Sequence, residues 1–410
     1  MCSSDLRVVE TAVHHRPRLR GSSKYGVGRF FRGFTDLLCV AAVVRSGRGF
    51  GTVGRRGESR ARVRHGVYAI LAAAAMGGLL GRIGAVSSVD KFALEKRIVT
   101  DAIAKAVAAG AAVDEQAIRA RIEEQKRLVR PFLSANDRSR WLTVRSLVER
   151  GSFAIDDLVA EPGWDTIDAV AHPDATGRLR LYSSKPPLLS VIAAGPYWLL
   201  NRLTGWTLGD HPFEMGRVLL VLCGLAPLAI TILFTARLVD RLGASDWGRI
   251  WTVALAAGGT MLTTFAVVFT NHIPAAACVA ASLWLLQRIA GDGVRSWRSF
   301  AGLGLAAALA AAFDLPALAW LVAVVAIVAT IDLRRTLLAT LPAAAFVAAA
   351  FFATNWLAHG DLVPPYGHRE GGQRVAVDPP GASWNPGNWY DYELPLANGR
   401  TLTKIGRAHV

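Results

Sequence analysis

The residues best suited to chemistry lie in one polar stretch between hydrophobic segments. Asp137 follows Asn136 at the start of an amphipathic pattern, and Lys185 precedes a Pro-Pro-Leu run that leads into an apolar segment. A carboxylate can take a proton from a hydroxyl group. A lysine beside an apolar segment is well placed for a phosphate at the depth of lipid headgroups. The two residues therefore indicate a base and an anion-binding cation near a membrane surface.

Each of these residues also has a purely structural interpretation. Asp137 is of the residue type that caps a helix N-terminus, and Lys185 could anchor a helix end by extending its amine toward water. Tyr182 either lines the same site or is an ordinary aromatic residue of a membrane interface.

The run Asp137-Arg138-Ser139-Arg140-Trp141, followed by Lys185-Pro186-Pro187-Leu188, resembles the first external loop of the GT-C superfamily of membrane glycosyltransferases. That superfamily uses lipid-linked sugars and includes the aminoarabinose lipid A transferases and the protein O-mannosyltransferases. Its catalytic acid opens an external helix as Asp-Glu-x-Arg-Tyr, and Asp137, Arg140 and Trp141 stand in register with that motif. Arg138 replaces the Glu, which leaves a requirement for a divalent metal open.

The resemblance implies a role for each matching residue. Asp137 would be the catalytic base, and Lys185 would contact the phosphate or the acidic residues around it. Arg138, Arg140 and Tyr182 are then candidate substrate-binding residues. The implied donor is a polyprenyl-phosphate sugar.

Further candidate substrate-binding residues stand at the ends of apolar segments, where polar side chains are costly. They are Asn271 with His272, and Asp314. Asp314 precedes Leu-Pro and could instead begin the next helix. His368 belongs to a tail rich in aromatic residues, Asn and Asp, which suits sugar binding and equally suits a loop at a membrane surface.

The composition predicts an all-α multi-pass membrane protein with a GT-C-like helical bundle and a long first external loop carrying juxtamembrane helices. The chain is 52% hydrophobic with a mean hydropathy of +0.32, and its apolar residues are grouped in blocks. The net charge of +15 does not indicate nucleic-acid binding, because residues 7–65 hold 14 Lys/Arg against 3 Asp/Glu. A basic flank before the first span indicates a cytoplasmic anchor. No Cys or His spacing indicates a structural zinc site.

We expect about seven spans within a transmembrane domain at 66–356, with an external loop at 87–215 and an external segment at 357–404. The first span is also compatible with a cleaved signal peptide. Helices are expected within the loop at about 89–109, 114–131 and 136–150, the last lying at the membrane surface. The expected spans are 66–86, 216–236, 249–268, 272–289, 299–313, 315–331 and 336–356.

The segment 186–203 is apolar, but the positive-inside rule argues that it does not cross the membrane. If it stays on the outer side, the three basic loops at 237–249, 288–298 and 332–335 are all cytoplasmic. Asp137, Lys185, His272 and Asp314 then converge on the outer face. We therefore predict an interfacial or re-entrant helix here.

We expect the two chain ends to be artefacts of sequencing adapters. Residues 405–410 are the translation of a common sequencing adapter, and residues 1–6 fit the opposite adapter. We expect a fragment whose native protein continues beyond about residue 403, with a doubtful basic tail at 1–65.

The leading hypothesis is a glycosyltransferase of the bacterial inner membrane that works on the non-cytoplasmic side. Its partners would be the bilayer, the lipid-linked donor and an acceptor that is a lipid, a glycan or a protein. The alternatives are a transporter or flippase, which gains if 299–331 is one broken helix, and an inactive GT-C-like scaffold.

Overall fold

The computed structural model describes residues 55–85, 91–110, 114–124, 132, 134–161, 163–397, 399 and 401–404. The expectations for residues 1–54 and 405–410 lie outside the described residues. Residues 55–65, expected to belong to the basic tail, form the start of the first helix.

The described chain is mostly helical, as the apolar blocks predict. Its helices are α1 Arg55–Gly84, α2 Lys91–Ala108, α3 Glu115–Glu124, α4 Ala135–Glu149, α5 Asp156–Val159, α6 Leu188–Thr204, α7 Pro212–Leu242, α8 Asp246–Gly258, α9 Leu262–Phe265, α10 His272–Ala290, α11 Trp297–Phe313, α12 Ala317–Ile331 and α13 Leu333–His359.

Four of the described helices are long and apolar enough to cross a membrane. They are Ser59–Gly84 of α1, together with α7, α10 and α13. The apolar helices α11 and α12 are shorter. With 17 and 15 residues and a rise of about 1.5 Å per residue, they measure about 25 Å and 22 Å, less than a hydrocarbon core of about 30 Å.

The segment 249–268, expected to be one span, is interrupted. Helix α8 ends at Gly258, and the single turn α9 follows. Two consecutive glycines, Gly258 and Gly259, weaken a helix because their backbone loses the most conformational freedom on folding. The expected count of seven spans therefore stays a prediction.

The expectation of an all-α chain is wrong in the polar segments, which form two antiparallel sheets. A hairpin pairs β1 (Ala169–Pro173) with β2 (Leu179–Ser183). A four-stranded sheet follows α13 in the order β3 (Val375–Val377), β4 (Ala382–Asn385), β5 (Asn388–Pro395) and β6 (Thr401–Lys404). The aromatic residues Trp389, Tyr390 and Tyr392 of β5 favour a strand over a helix.

The hairpin and the four-stranded sheet pack together. The backbone N–H of Leu179 donates to the carbonyl of Asp378 at 2.7 Å. Val170, Tyr182, Trp389 and Tyr390 share a hydrophobic core between the two sheets. The segment after α13 is therefore joined to the loop between α1 and α7.

Helix α6 covers most of the segment 186–203, and its interfacial or re-entrant position stays a prediction. One face packs on α4, where the Tyr197 hydroxyl donates to Glu149 at 2.6 Å. On the rest of the helix Ile192, Trp198 and Leu203 are exposed. An apolar exposed face on a helix of 17 residues is typical of a helix lying along a membrane surface.

The three basic loops meet at one end of the helices, where Arg335 of the third loop lies 5.4 Å from the ring centroid of Trp297 in the second. Arg64 of α1 pairs with Asp240 at 3.0 Å and with Asp246 at 2.6 Å, and Arg241 pairs with Asp292. These contacts hold α1 against α7 and α8, which favours a retained first helix over a cleaved signal peptide.

Helices α11 and α12 fold back on each other and do not form one long broken helix. Leu303 and Ala307 of α11 share a core cluster with Val324 and Val328 of α12. The feature that would favour a transporter is therefore missing from this pair.

Candidate functional site

A cavity of about 720 Å³ lies where the helix ends meet the polar loop. Its walls are apolar and come from α6, α11, α12 and α13, with Leu189, Ala311, Val347 and Phe351 among them. Its polar lining residues are Asn136, Arg140, Lys185, Asn271, His272 and Asp314. Five of the residues singled out in the sequence thus line one cavity, although they are up to 174 positions apart.

Helix α4 positions the first of these residues from inside the protein. Asp137 to Ser146 are all buried, and Trp141 stacks on Phe132 at 4.9 Å and contacts Phe269 at 4.6 Å between ring centroids. The expectation of an amphipathic helix at the membrane surface is therefore wrong. The helix can be enclosed because its arginines have partners: Arg145, for example, binds Glu149 at 2.9 Å and Glu161 at 2.6 Å.

Arg140 brings α4 to the cavity. Its guanidinium donates to Asn136 and, at 2.7 Å, to Asn271 Oδ1. Burial lowers the pKa of Arg140, whereas the nearby carboxylates of Asp168, Asp137 and Asp314 act in the opposite direction. A guanidinium held by two amide oxygens stays charged and keeps donors for an anion.

Asp137 lies behind Arg140 and is not among the residues that line the cavity. Only 3% of its surface is exposed, and its Oδ1 accepts the backbone N–H of Phe269 at 2.7 Å. The side chain therefore does not cap α4, and the capping interpretation is wrong. Burial raises the pKa of Asp137 to about 7, a value that suits a general base near neutral pH. Its role as catalytic base stays a prediction.

Lys185 is held at the cavity by strand β2. Its backbone N–H donates to Ser183 Oγ at 3.2 Å, and Ser183 lies 2.7 Å from the hydroxyl of Ser139 in α4. Its amine pairs with Asp168 at 3.0 Å. Asp168 also accepts the hydroxyl of Ser184. The lysine is thus fixed as part of an ion pair, which a free membrane anchor would not need.

Asp168 was not singled out in the sequence. It stands beside an equally acidic neighbour, Asp165, with no spacing that distinguishes the two. The pairing of β1 with β2, which sets Ala169 opposite Ser183, places Asp168 against Lys185.

His272 and Asp314 form a pair at the cavity. His272 Nδ1 lies 2.7 Å from Asp314 Oδ2, and both residues line the cavity. A carboxylate that accepts the Nδ1 hydrogen leaves Nε2 as a hydrogen-bond acceptor. The Asp314 side chain thus binds His272, while only its backbone carbonyl accepts the N–H of Ala317 at the start of α12. Asn271 links the same ends by donating to the Phe313 carbonyl at 3.0 Å.

Three of the predicted substrate-binding residues lie away from the cavity lining. Arg138 donates to the carbonyls of Asp165, at 2.7 Å, and Phe132, so this guanidinium fixes the backbone before and after α4. Tyr182 and His368 belong to the aromatic core described next.

A cluster of aromatic and histidine rings joins the two sheets to the end of α13. Tyr182 stacks on His172 at 4.1 Å, and His368 stacks on Trp389 at 3.6 Å. His172 Nδ1 lies 3.0 Å from the Pro173 carbonyl and therefore carries the hydrogen, so Nε2 accepts from His359 at 3.0 Å. Burial lowers the pKa of His172 to about 4, which keeps this ring neutral at pH 7.

In the part of the chain that the structure describes, no group of three or more His, Cys, Asp or Glu side chains is arranged to hold a metal ion.

Comparisons with protein-family models, with curated proteins and with solved structures found no match to this chain.

Proposed function

We propose that the chain is a membrane glycosyltransferase that moves a sugar from a polyprenyl-phosphate donor to an acceptor hydroxyl at this cavity. One observation carries the proposal. Two cations, Arg140 and Lys185, line a cavity whose other walls are mainly apolar. A phosphate on a lipid tail needs both kinds of surface at once. The volume also lies in the usual range for small-ligand sites, about 300–1,000 Å³.

The chemistry assigns roles to the charged residues. The bond between the sugar and the phosphate breaks, the lipid phosphate leaves, and the acceptor oxygen bonds to the sugar. Arg140 and Lys185 stabilise the negative charge on the leaving phosphate. A base removes the acceptor proton.

Two groups are candidates for that base. The resemblance to the GT-C superfamily points to Asp137, whose pKa is raised by burial to about 7. The His272–Asp314 pair is the candidate that lines the cavity itself. If Asp137 is the base, the acceptor hydroxyl must reach its carboxyl group past the side chain of Arg140.

The position of the cavity agrees with the expected topology. The cavity lies at the helix ends that carry Asn271 and Asp314, opposite the ends joined by Arg64, Asp240 and Asp246. With the basic ends in the cytoplasm, the donor's phosphate would sit at the outer headgroup level of the bacterial inner membrane.

The proposal is tested by crosslinking a photoreactive polyprenyl phosphate to the purified protein and mapping the modified peptides. We expect adducts on α11, α12 and α13. Unlabelled polyprenyl phosphate should compete, and polyprenol, which lacks the phosphate, should not. Equal competition by polyprenol would remove the cations from donor recognition, and adducts confined to other helices would remove the cavity.

A further inference from the structure

A second cationic feature lies at the opposite end of the helices, and the proposed sugar transfer does not use it. Several arginines at this end have a carboxylate partner. Arg64 pairs with Asp240 and Asp246, Arg241 pairs with Asp292, and Arg335 pairs with Asp332.

Arg237 and Arg288 differ from this pattern. Both are half-buried, and they approach the same indole from two helices: their guanidinium carbons lie 5.5 Å and 5.0 Å from the ring centroid of Trp284. Arg237 also lies 5.7 Å from the ring of Phe234. Among the described residues neither guanidinium has a carboxylate partner.

Two unpaired guanidinium groups on one ring are a costly arrangement. A half-buried charge loses hydration, and two like charges repel one another. Contact of a cation with an indole face stabilises by about 0.5–2 kcal/mol, which offsets part of this cost. An anion between the two groups would offset more, and phosphate oxygens match the planar donor fork of arginine.

The neighbouring residues show what such an anion would be attached to. On α7, Ile230, Phe234 and Arg237 are spaced i, i+4 and i+7, and on α10, Trp284 and Arg288 are spaced i and i+4. Such residues share a helix face. Both faces are apolar toward the middle of the helix and cationic toward its end. Ile230 is 42% exposed, so the apolar part is open to a lipid chain.

We propose that this pair of helix faces binds one anionic phospholipid. Arg237 and Arg288 hold the phosphate beside Trp284, and an acyl chain runs along Phe234 and Ile230. The chemical class recognised is a phosphate carrying two acyl chains. This site is separate from the cavity and does not depend on glycosyltransferase activity.

The test uses the full chain in lipid nanodiscs and native mass spectrometry of retained lipids. Phosphatidylglycerol is compared with phosphatidylcholine as the probe. The variant is Arg237→Gln with Arg288→Gln. The matched control is Arg298→Gln with Arg334→Gln, which removes the same charge from exposed arginines at the same end that have no partner in the described structure.

We expect the wild type and the control to retain one phosphatidylglycerol in preference to phosphatidylcholine. The variant should lose that preference by about tenfold or more. An unchanged preference in the variant, or an equal loss in the control, would overturn the proposal. In a separate experiment, glycerol 3-phosphate is added to the protein in detergent. A rise in melting temperature equal to that caused by phosphatidylglycerol would show a site for free phosphate and contradict the proposal of a lipid site.

If the double variant does not fold, Arg288→Gln alone and Trp284→Leu are measured in the same way. Each should weaken retention of phosphatidylglycerol while the melting temperature in phosphatidylcholine discs stays that of the wild type. Retention that is unchanged in both single variants would also overturn the proposal.

Discussion

The carboxyl group of Asp137 is removed from water, and its protonation is therefore linked to folding. Burial raises its pKa to about 7, against about 3.9 in an unfolded chain. Between these two values the folded protein keeps a proton that the unfolded chain has released. The free energy of unfolding should then fall as pH rises from about 4 to 7 and become independent of this group above that range.

Asp137→Asn keeps the shape of the side chain without the ionisation. We expect it to flatten the decline of the melting temperature between pH 4 and 7. Asp210→Asn, a change in an exposed turn, serves as the control and should keep the decline. A wild-type melting temperature that rises over this range would contradict the account.

Lys185 is predicted to bind the donor phosphate from within its ion pair with Asp168. Lys185→Met removes the cation and leaves the carboxylate of Asp168 without its amine partner. The affinity for a short-chain polyprenyl phosphate should then fall about 10- to 100-fold, which is the loss expected when a hydrogen bond to a charged group is removed. Lys185→Arg should retain more of the affinity. The control is Arg178→Met in the exposed hairpin turn, and an equal loss there would assign the effect to general charge.

At the residue scale, sequence reasoning identified the cations of the cavity but not their partners. Both cations stand in recognisable sequence patterns, because Lys185 precedes Pro-Pro and Arg140 precedes a tryptophan. Asp168 meets Lys185 because β1 pairs with β2, and no local pattern marks the register of that hairpin. The same holds for the pair of His272 and Asp314, whose side chains meet across 42 positions.

The helices around the cavity are held by a close approach between backbones. A methyl group at Gly304 of α11 would overlap the carbonyl oxygen of Thr340 in α13, whereas one at Gly302 would meet only Leu285 Cδ1 at 3.4 Å. The absence of a side chain at Gly304 therefore lets two walls of the cavity touch.

We expect Gly304→Ala to destabilise the protein by about 1–3 kcal/mol, the usual cost of overpacking, and to lower its melting temperature. Gly302→Ala should be neutral or stabilising by up to about 1 kcal/mol, because alanine favours a helix over glycine. The two melting temperatures are measured in the same detergent. Equal effects of the two changes would show that the contact does not hold α11 to α13.

At the element scale, the apolar blocks predicted the long helices, since a run of about 20 apolar residues has few other solutions. The sheets were missed. Residues 169–183 mix polar, charged and apolar types, and the segment after α13 reads equally well as an aromatic membrane-surface loop. Their strands are fixed by packing on each other through Tyr182, Trp389 and Tyr390, which is tertiary information.

The whole molecule separates its polar groups between two ends of the helices. One end joins the basic loops through Arg64, Arg241 and their aspartate partners, and the other carries the cavity. Counting Lys and Arg in the loops was enough to group Lys185, His272 and Asp314 on one face before any contact was known, because the charge bias sets orientation for all helices together.

The proposed orientation is tested by labelling single introduced cysteines in intact cells with a membrane-impermeant thiol reagent. Thr176→Cys in the hairpin turn should react from outside. Arg334→Cys, at the basic end, should react only after the membrane is permeabilised. The reverse pattern would invert the topology and place the cavity in the cytoplasm, where a polyprenyl-phosphate sugar with its headgroup outside could not reach it.

The central claim is transfer of a sugar from a lipid phosphate at this cavity. Its most direct test is transfer from radiolabelled polyprenyl-phosphate sugars to crude membrane acceptors by the protein reconstituted in vesicles. The wild type is compared with Asp137→Asn, His272→Ala and the control Asp210→Asn.

We predict transfer by the wild type and the control, with a loss of about 10²- to 10⁴-fold in the variant that removes the base. A loss confined to Asp137→Asn, with a rate that rises through pH 7 in the wild type, would assign the proton to Asp137, and a loss confined to His272→Ala would assign it to the His272–Asp314 pair. No transfer from any donor by the folded wild type would contradict the account.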